Sequence, residues 1–200
     1  MLNRLLSLCL FAAALSGCVT VPNPLAPHQI EALHLTTVTV EIDPAATLWW
    51  GDGDRAYARS KGQPEQNSEE LSKTPEARAF IAKAASEKIT AALQEQLKPV
   101  LAGKRPVKVV LTLRRLYLAS IIQRITVGGA HEMIADIAVI DAKTGAPILS
   151  YPEFRAAAMA GQGIGGTLLD AALMSEPIDR LTANFAQRFR DWLLPQQQPQ

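Results

Sequence analysis

Two hundred residues, 48% hydrophobic and 20% charged, suit one domain with a substantial core and exclude a chain that is disordered throughout. Twenty basic against 19 acidic residues give a formal net charge of +1, which argues against a nucleic-acid binder with its basic excess or stripe. Two cysteines and three histidines leave little material for a structural metal site.

The chain opens MLNRLLSLCLFAAALSGC. Arg4, an apolar run from Leu5 to Leu15 and the small residues after it have the layout of a secretory signal. The run is well short of the roughly 20 residues that span a bilayer. Leu15-Ser16-Gly17-Cys18 resembles the lipobox of bacterial lipoproteins. That resemblance implies cleavage before Cys18, acylation of Cys18 and a membrane anchor made of several acyl chains, since one alone holds weakly. Val19, where an Asp would commonly retain such a protein at the inner membrane, implies outer-membrane sorting with a periplasm-facing domain. Cys9 leaves with the signal and Cys18 is lipidated, so the mature domain has no disulfide and no cysteine ligand.

The expected divisions are a signal peptide over 1–17, lipidated Cys18 with a Pro-rich tether to 34, a periplasmic domain over 35–194 and a loose tail over 195–200. Val38, Val40 and Ile42 alternate with Thr37, Thr39 and Glu41, which predicts a half-buried strand ended by Pro44. Residues 45–73 are polar and irregular, and a stretch so long without structure is functional or mobile. Thr74-Pro75-Glu76 is a helix start. Phe80, Ile81, Ala84, Ala85, Ile89, Ala92, Leu93 and Leu97 then share one face until Pro99.

From Val107 a strand turns Val109, Leu111 and Leu113 one way; at Arg114-Arg115 the phase moves to Leu116 and Leu118, which predicts a bulge. After Gly128-Gly129 a returning strand carries Met133, Ala135, Ile137 and Val139 on one face. Asp141 to Gly145 reads as a hairpin loop, 147–160 as an edge strand because of Pro152, and GQGIGG leads to a short helix near 167–174. The last helix, about 177–194, buries Ile178, Leu181, Phe185, Phe189, Trp192 and Leu193. The order β-α-β-β-β-α predicts an α+β fold, a mostly antiparallel four-stranded sheet with two amphipathic helices on one face.

Most motifs that suggest chemistry fail on context. Gly161-x-Gly163-x-x-Gly166 lacks the following parallel strand and acid of a dinucleotide site. His131-Glu132 has Ala135 where a zinc protease needs His, and it lies on a strand. Lys143-Thr144-Gly145 has no Ser-x-x-Lys partner. His28 and His34 flank the tether. No catalytic residue, cofactor or metal is therefore assigned. The best binding-surface candidate is Trp49, Trp50, Asp52, Asp54 and Arg55, aromatics with charge and glycine on an expected loop. Arg114, Arg115 and Arg124 form a basic group suited to phosphate or lipid headgroups.

The Asp-Ala-x-Thr-Gly hairpin, the glycine segment and the closing helix are similar to small proteobacterial envelope lipoproteins. Trp50-x-Asp52 with Arg55 resembles a motif of alphaproteobacterial lipoproteins of unknown function, and auxiliary lipoproteins of envelope transport systems share the architecture. The resemblance implies a non-enzymatic binding or accessory component with an envelope protein as partner and no nucleic acid. The alternative is a lipid-binding module that holds an acyl chain between sheet and helices.

Overall fold

The computed structural model describes residues 21–119, 130–159 and 176–194. A short helix α1 (Pro27–Glu31) leads into strand β1 (Leu33–Trp49), then helix α2 (Gly51–Ser60), a single 3-10 turn (Glu65–Asn67) and a one-turn helix α3 (Ser68–Leu71). The long helix α4 (Pro75–Leu97) precedes strands β2 (Arg105–Tyr117), β3 (Ala130–Asp141) and β4 (Pro147–Met159), and helix α5 (Pro177–Leu193) closes the described chain. The sheet order is β1-β2-β3-β4. Its β1–β2 pair is parallel and the other two pairs are antiparallel, so the sheet is mixed within the expected α+β class.

Local chemistry explains α4. Thr74 Oγ1 accepts from Ala77 N at 3.2 Å, and Pro75 occupies the first turn where no partner for its nitrogen is needed. Ala77, Ile81, Ala85, Ile89, Leu93 and Leu97 are buried, one residue in every four. Four residues overshoot a helical turn by about 40°, so the stripe is inclined and meets different neighbours along its length. Those neighbours are α2, β1 and α5. Phe80, expected in the stripe, falls beside it and touches the ring of Tyr57 in α2 at 5.5 Å. Helix α5 buries Ile178, Leu181, Phe185, Phe189 and Leu193 as expected, while Trp192 is partly covered. Lys88 meets Asp179 at 2.6 Å and Arg190 meets Gln96 at 2.8 Å, so α4 and α5 run parallel, side by side, over one sheet face.

The bulge expected at Arg114-Arg115 is present, and it belongs to a larger feature. Ile42, Leu113, Ala135 and Phe154 form one row across all four strands. Register shifts adjoin this row in every pair: between Ile42 and Thr47, between Leu113 and Arg115, and between Ala135 and Ile137. Arg114 donates to Asp136 Oδ2 from Nε at 2.8 Å and Nη2 at 2.6 Å, and to Asp43 Oδ2 from Nη1 at 2.8 Å. Asp136 Oδ1 accepts from Glu153 N at 2.8 Å, at a residue whose φ of 49° needs such support. One arginine and one aspartate thereby tie the irregularities of four strands together.

Three expectations change. Pro44 does not end β1: it sits where the ladder is interrupted, on an edge strand that tolerates a missing donor, and pairing resumes at Thr47. Much of the 45–73 segment is helical. Two glycines mask α2, but Asp52 and Asp54 lie in its first turn, where the helix dipole favours acids. The Pro-rich stretch expected as a tether over 18–34 is packed from Val21 onward. Trp192 Nε1 donates to Val21 O at 2.7 Å, Asn23 Nδ2 donates to Leu193 O at 2.7 Å, and Ile30 and Leu33 are buried. Prolines here fix φ and lower the entropy lost on packing. Expectations for 1–20, for the continuation 120–129, for GQGIGG with the helix near 167–174, and for 195–200 lie outside the described residues.

The N-terminal segment is locked by a backbone crossing. Gly103 N donates to Leu33 O at 2.7 Å and Arg105 N to Ala32 O at 2.7 Å. A Cβ on Gly103 would stand 2.3 Å from Glu31 O and 2.4 Å from Ala32 C. Gly103→Ala should therefore cost about 3 kcal/mol in urea unfolding, because backbone rather than a side chain must move. Gly51→Ala, whose new methyl meets only Arg55 Nη1 at 3.6 Å, is the control. Equal midpoints for the two would show that the crossing yields freely.

The Arg114 hydrogen bond holds the Asp136 carboxyl below its ordinary value of 3.8, with the Glu153 amide acting the same way against partial burial. The stabilisation is thus present above the unfolded value and is lost as pH falls through the lowered one. Asp136→Asn should cost about 1 kcal/mol at neutral pH and flatten the acid limb of stability below about pH 4. An unchanged acid limb in that variant would place the acid sensitivity elsewhere.

Candidate functional site

The sheet has two distinct ends. At the lower end, β1 and β2 begin, the β3–β4 hairpin turns, and α4 and α5 terminate; Leu35 N donates to Leu101 O at 2.9 Å and Ala142 N to Pro106 O at 2.9 Å. At the upper end lie Trp49, Tyr117, Ala130 and Met159, the last or first residues of the four strands.

Side chains alternate along a strand, so the consecutive tryptophans at the end of β1 part company. Trp50 is 6% exposed and joins the core, with Gly53 beneath it; a Cβ at Gly53 would lie 2.7 Å from Trp50 Cε3. Trp49 is 55% exposed. It pairs with Tyr117 of β2, ring centroids 6.4 Å apart, and its carbonyl accepts from Leu118 N at 2.9 Å. Across the face from Tyr117 stands Glu132, whose Oε2 lies 2.9 Å from Arg115 Nε, and the Arg115 guanidinium covers the Tyr117 ring at 5.4 Å. The result is an aromatic pair flanked by an ion pair on the sheet face that α4 and α5 leave uncovered.

The other expected residues divide. Asp52 pairs with Arg55 at the surface, and Arg55 also lies 3.8 Å from Glu65. Asp54 is half-buried; burial pushes its carboxyl up to about 6, opposed by Arg55 and reinforced by Glu69. Two residues apart on a helix point about 200° from each other, so Asp52 and Asp54 do not face one another as an acid–base dyad. Trp49, Asp52 and Arg55 thus remain on the surface at the upper end, and Trp50 is withdrawn into the core, contrary to its expected place on a binding loop.

Sequence reasoning did not select Tyr117, Arg115 and Glu132 as companions of Trp49. The signal was the phase shift at Arg114: once 116 and 118 face the core, 115 and 117 must face away. The expected basic group is not free. Arg114 is held by Asp43 and Asp136, Arg115 by Glu132, and Arg124 lies outside the described residues.

His131 is fully buried and its Nδ1 accepts from Ala119 N at 3.1 Å, closing the β2–β3 junction. Lys143-Thr144-Gly145 is a hairpin tip: Asp141 Oδ1 accepts from the amides of Lys143 and Thr144, and Gly145 takes a φ of 74°. His28 and His34 are exposed at the lower end. Among the described residues no group of three or more His, Cys, Asp or Glu is placed to hold a metal, and no helix is long and apolar enough to cross a membrane.

No curated protein matches the chain in sequence. Two crystal structures are similar in shape. One, a Caulobacter crescentus CB15 protein described as a candidate lipoprotein, is 17% identical over 55% of this chain and 80% of its own, with a TM-score of 0.32. The other, a Xanthomonas campestris protein of the family DUF330, is 10% identical over 86% of this chain and 89% of its own, with a TM-score of 0.43. Residues 83–200, more than half of the chain, match the family of unknown function DUF6778, and the match takes in β2, β3, β4, α5 and Tyr117. The chain belongs to the DUF6778 family.

Proposed function

We propose that this protein is an envelope lipoprotein, anchored at the outer membrane through Cys18, whose periplasmic domain binds another envelope protein without catalysis of its own. The anchor rests on the Leu15-Ser16-Gly17-Cys18 motif. The observation that carries the binding role is the position of Trp49. The chain enters the domain at the lower end, where Val21 meets Trp192, and Trp49 stands exposed at the upper end, roughly 40 Å away by strand rise. A large aromatic beside a second ring and an ion pair, held out from the anchor, is suited to the centre of a protein contact. The alternative of a lipid-binding module is less well supported. The space it needs between α5 and the sheet holds the interlocked rings of Tyr151, Phe154, Phe185, Phe189 and Trp192, with centroids 4.9–5.8 Å apart.

In intact cells, Cys18→Ser should accumulate as uncut precursor without acyl groups; normal processing and membrane retention of that variant would remove the anchor from the proposal. Crosslinking of the native lipoprotein followed by mass spectrometry tests the binding role. Trp49→Ala should change stability by less than about 0.5 kcal/mol yet reduce capture of the dominant envelope partner at least tenfold. Trp50→Ala should cost about 3–5 kcal/mol, as for a buried ring. Undiminished capture by Trp49→Ala would exclude the upper end as the contact.

A further inference from the structure

The lower end of the domain has its own chemistry. Lys98 follows the last turn of α4, Lys104 lies in the loop that crosses Ala32, and Lys143 tips the β3–β4 hairpin. All three are exposed, as is Lys108, the fourth residue of β2, and none has a carboxylate partner among the described residues. The acids nearby are largely committed. Asp141 is held 3.1 Å from Arg105, and Asp191 is held 2.8 Å from Arg190. Glu31 and Glu95 remain.

The chain leaves the described domain at this same end. Val21 is fixed by the Trp192 indole, and Trp192 belongs to the last turn of α5. Only three residue steps separate Val21 from Cys18, a reach of at most about 11 Å. That distance is comparable to the screening length of about 8 Å at physiological ionic strength. A domain held so closely cannot keep its lower end out of the field of the bilayer.

We infer that the end carrying Lys98, Lys104 and Lys143 is a docking surface for anionic phospholipid headgroups, which stands the domain upright with Trp49 farthest from the membrane. The inference rests on the anchor at Cys18. Lysine ammonium groups on short exposed loops are suited to phosphate as mobile point charges. Each contributes roughly a five-fold preference for an anionic over a neutral surface. The occupant is thus the membrane that holds the anchor, and the upper end is left to the partner.

The test uses the full lipidated protein reconstituted in phosphatidylethanolamine vesicles with or without about a third of phosphatidylglycerol. Amines are acetylated with an N-hydroxysuccinimide ester and the lysines are read by mass spectrometry. Labelling of Lys98, Lys104 and Lys143 should fall about five-fold on the anionic vesicles and recover in about 1 M salt. Lys73 and Lys83, near the start of α4 at the other end, should label equally on both. Intact mass before reconstitution reads the anchor separately. An unacylated Cys18 overturns the anchor and this orientation with it. An acylated Cys18 with equal labelling of the three lysines on both vesicles overturns the orientation alone.

Discussion

The row Ile42–Leu113–Ala135–Phe154, with Arg114 clamped between Asp43 and Asp136, decides what each face of the sheet shows above it. Without the extra residue in β2, Tyr117 and Arg115 would point into the core and Leu116 and Leu118 into water. With it, Leu116 and Leu118 are buried and Tyr117 is available to Trp49. A bulge usually bends a strand and leaves one residue unpaired. Here the unpaired residue is an arginine whose guanidinium reaches carboxylates on both neighbouring strands, so the irregularity in β2 enforces those in β1 and β4. The surface at the upper end is therefore a product of backbone phase, set several residues before the aromatic ring that exploits it.

Much of the frame was legible because its signals are local. Thr74-Pro75-Glu76 announces α4 through chemistry confined to its first turn, and the alternations of Val107 to Leu113 and Met133 to Val139 need only one half-buried sheet. The parts that were not legible depend on distant partners. Pro44 reads as a strand end unless β1 is known to be an edge strand with a matching shift beside Leu113. Gly51 and Gly53 read as a loop, yet the missing Cβ of Gly53 is what lets Trp50 lie flat beneath α2. The prolines before residue 34 suggest a tether until Trp192 and Leu193 supply the groups that hold Val21 and Asn23. Within the candidate site, composition found Trp49 but could not separate it from Trp50, since only the strand's phase tells which ring enters the core.

The two ends of the domain differ in their chemistry. The lower end gathers the chain entry, the terminal turns of both long helices and lysines on short loops. The upper end gathers aromatic rings with their charges already paired. An exposed ring among satisfied ion pairs offers contact area at little desolvation cost, whereas unpaired ammonium groups seek an anionic surface. The match to DUF6778 begins within α4 and runs through α5, and so includes Tyr117, Arg115 and Glu132 of the upper end and Lys98, Lys104 and Lys143 of the lower one.

The parallel pairing of β1 with β2 joins residues about seventy positions apart, as Asp43 and Arg114 do at a separation of 71. Among the described residues, the other two strand pairings, β2–β3 and β3–β4, join strands that follow one another in sequence. A chain that emerges N-terminus first must hold β1, a long strand with both of its ladder edges open, until α4 and β2 have followed it. Loop closure of that span costs entropy before any packing repays it, so the β1–β2 pairing is the costliest of the described strand pairings to close. The broken ladder at Pro44 then gains a second meaning: it divides a long half-buried edge strand into two shorter ladders, and thereby guards the waiting chain against pairing with a stranger.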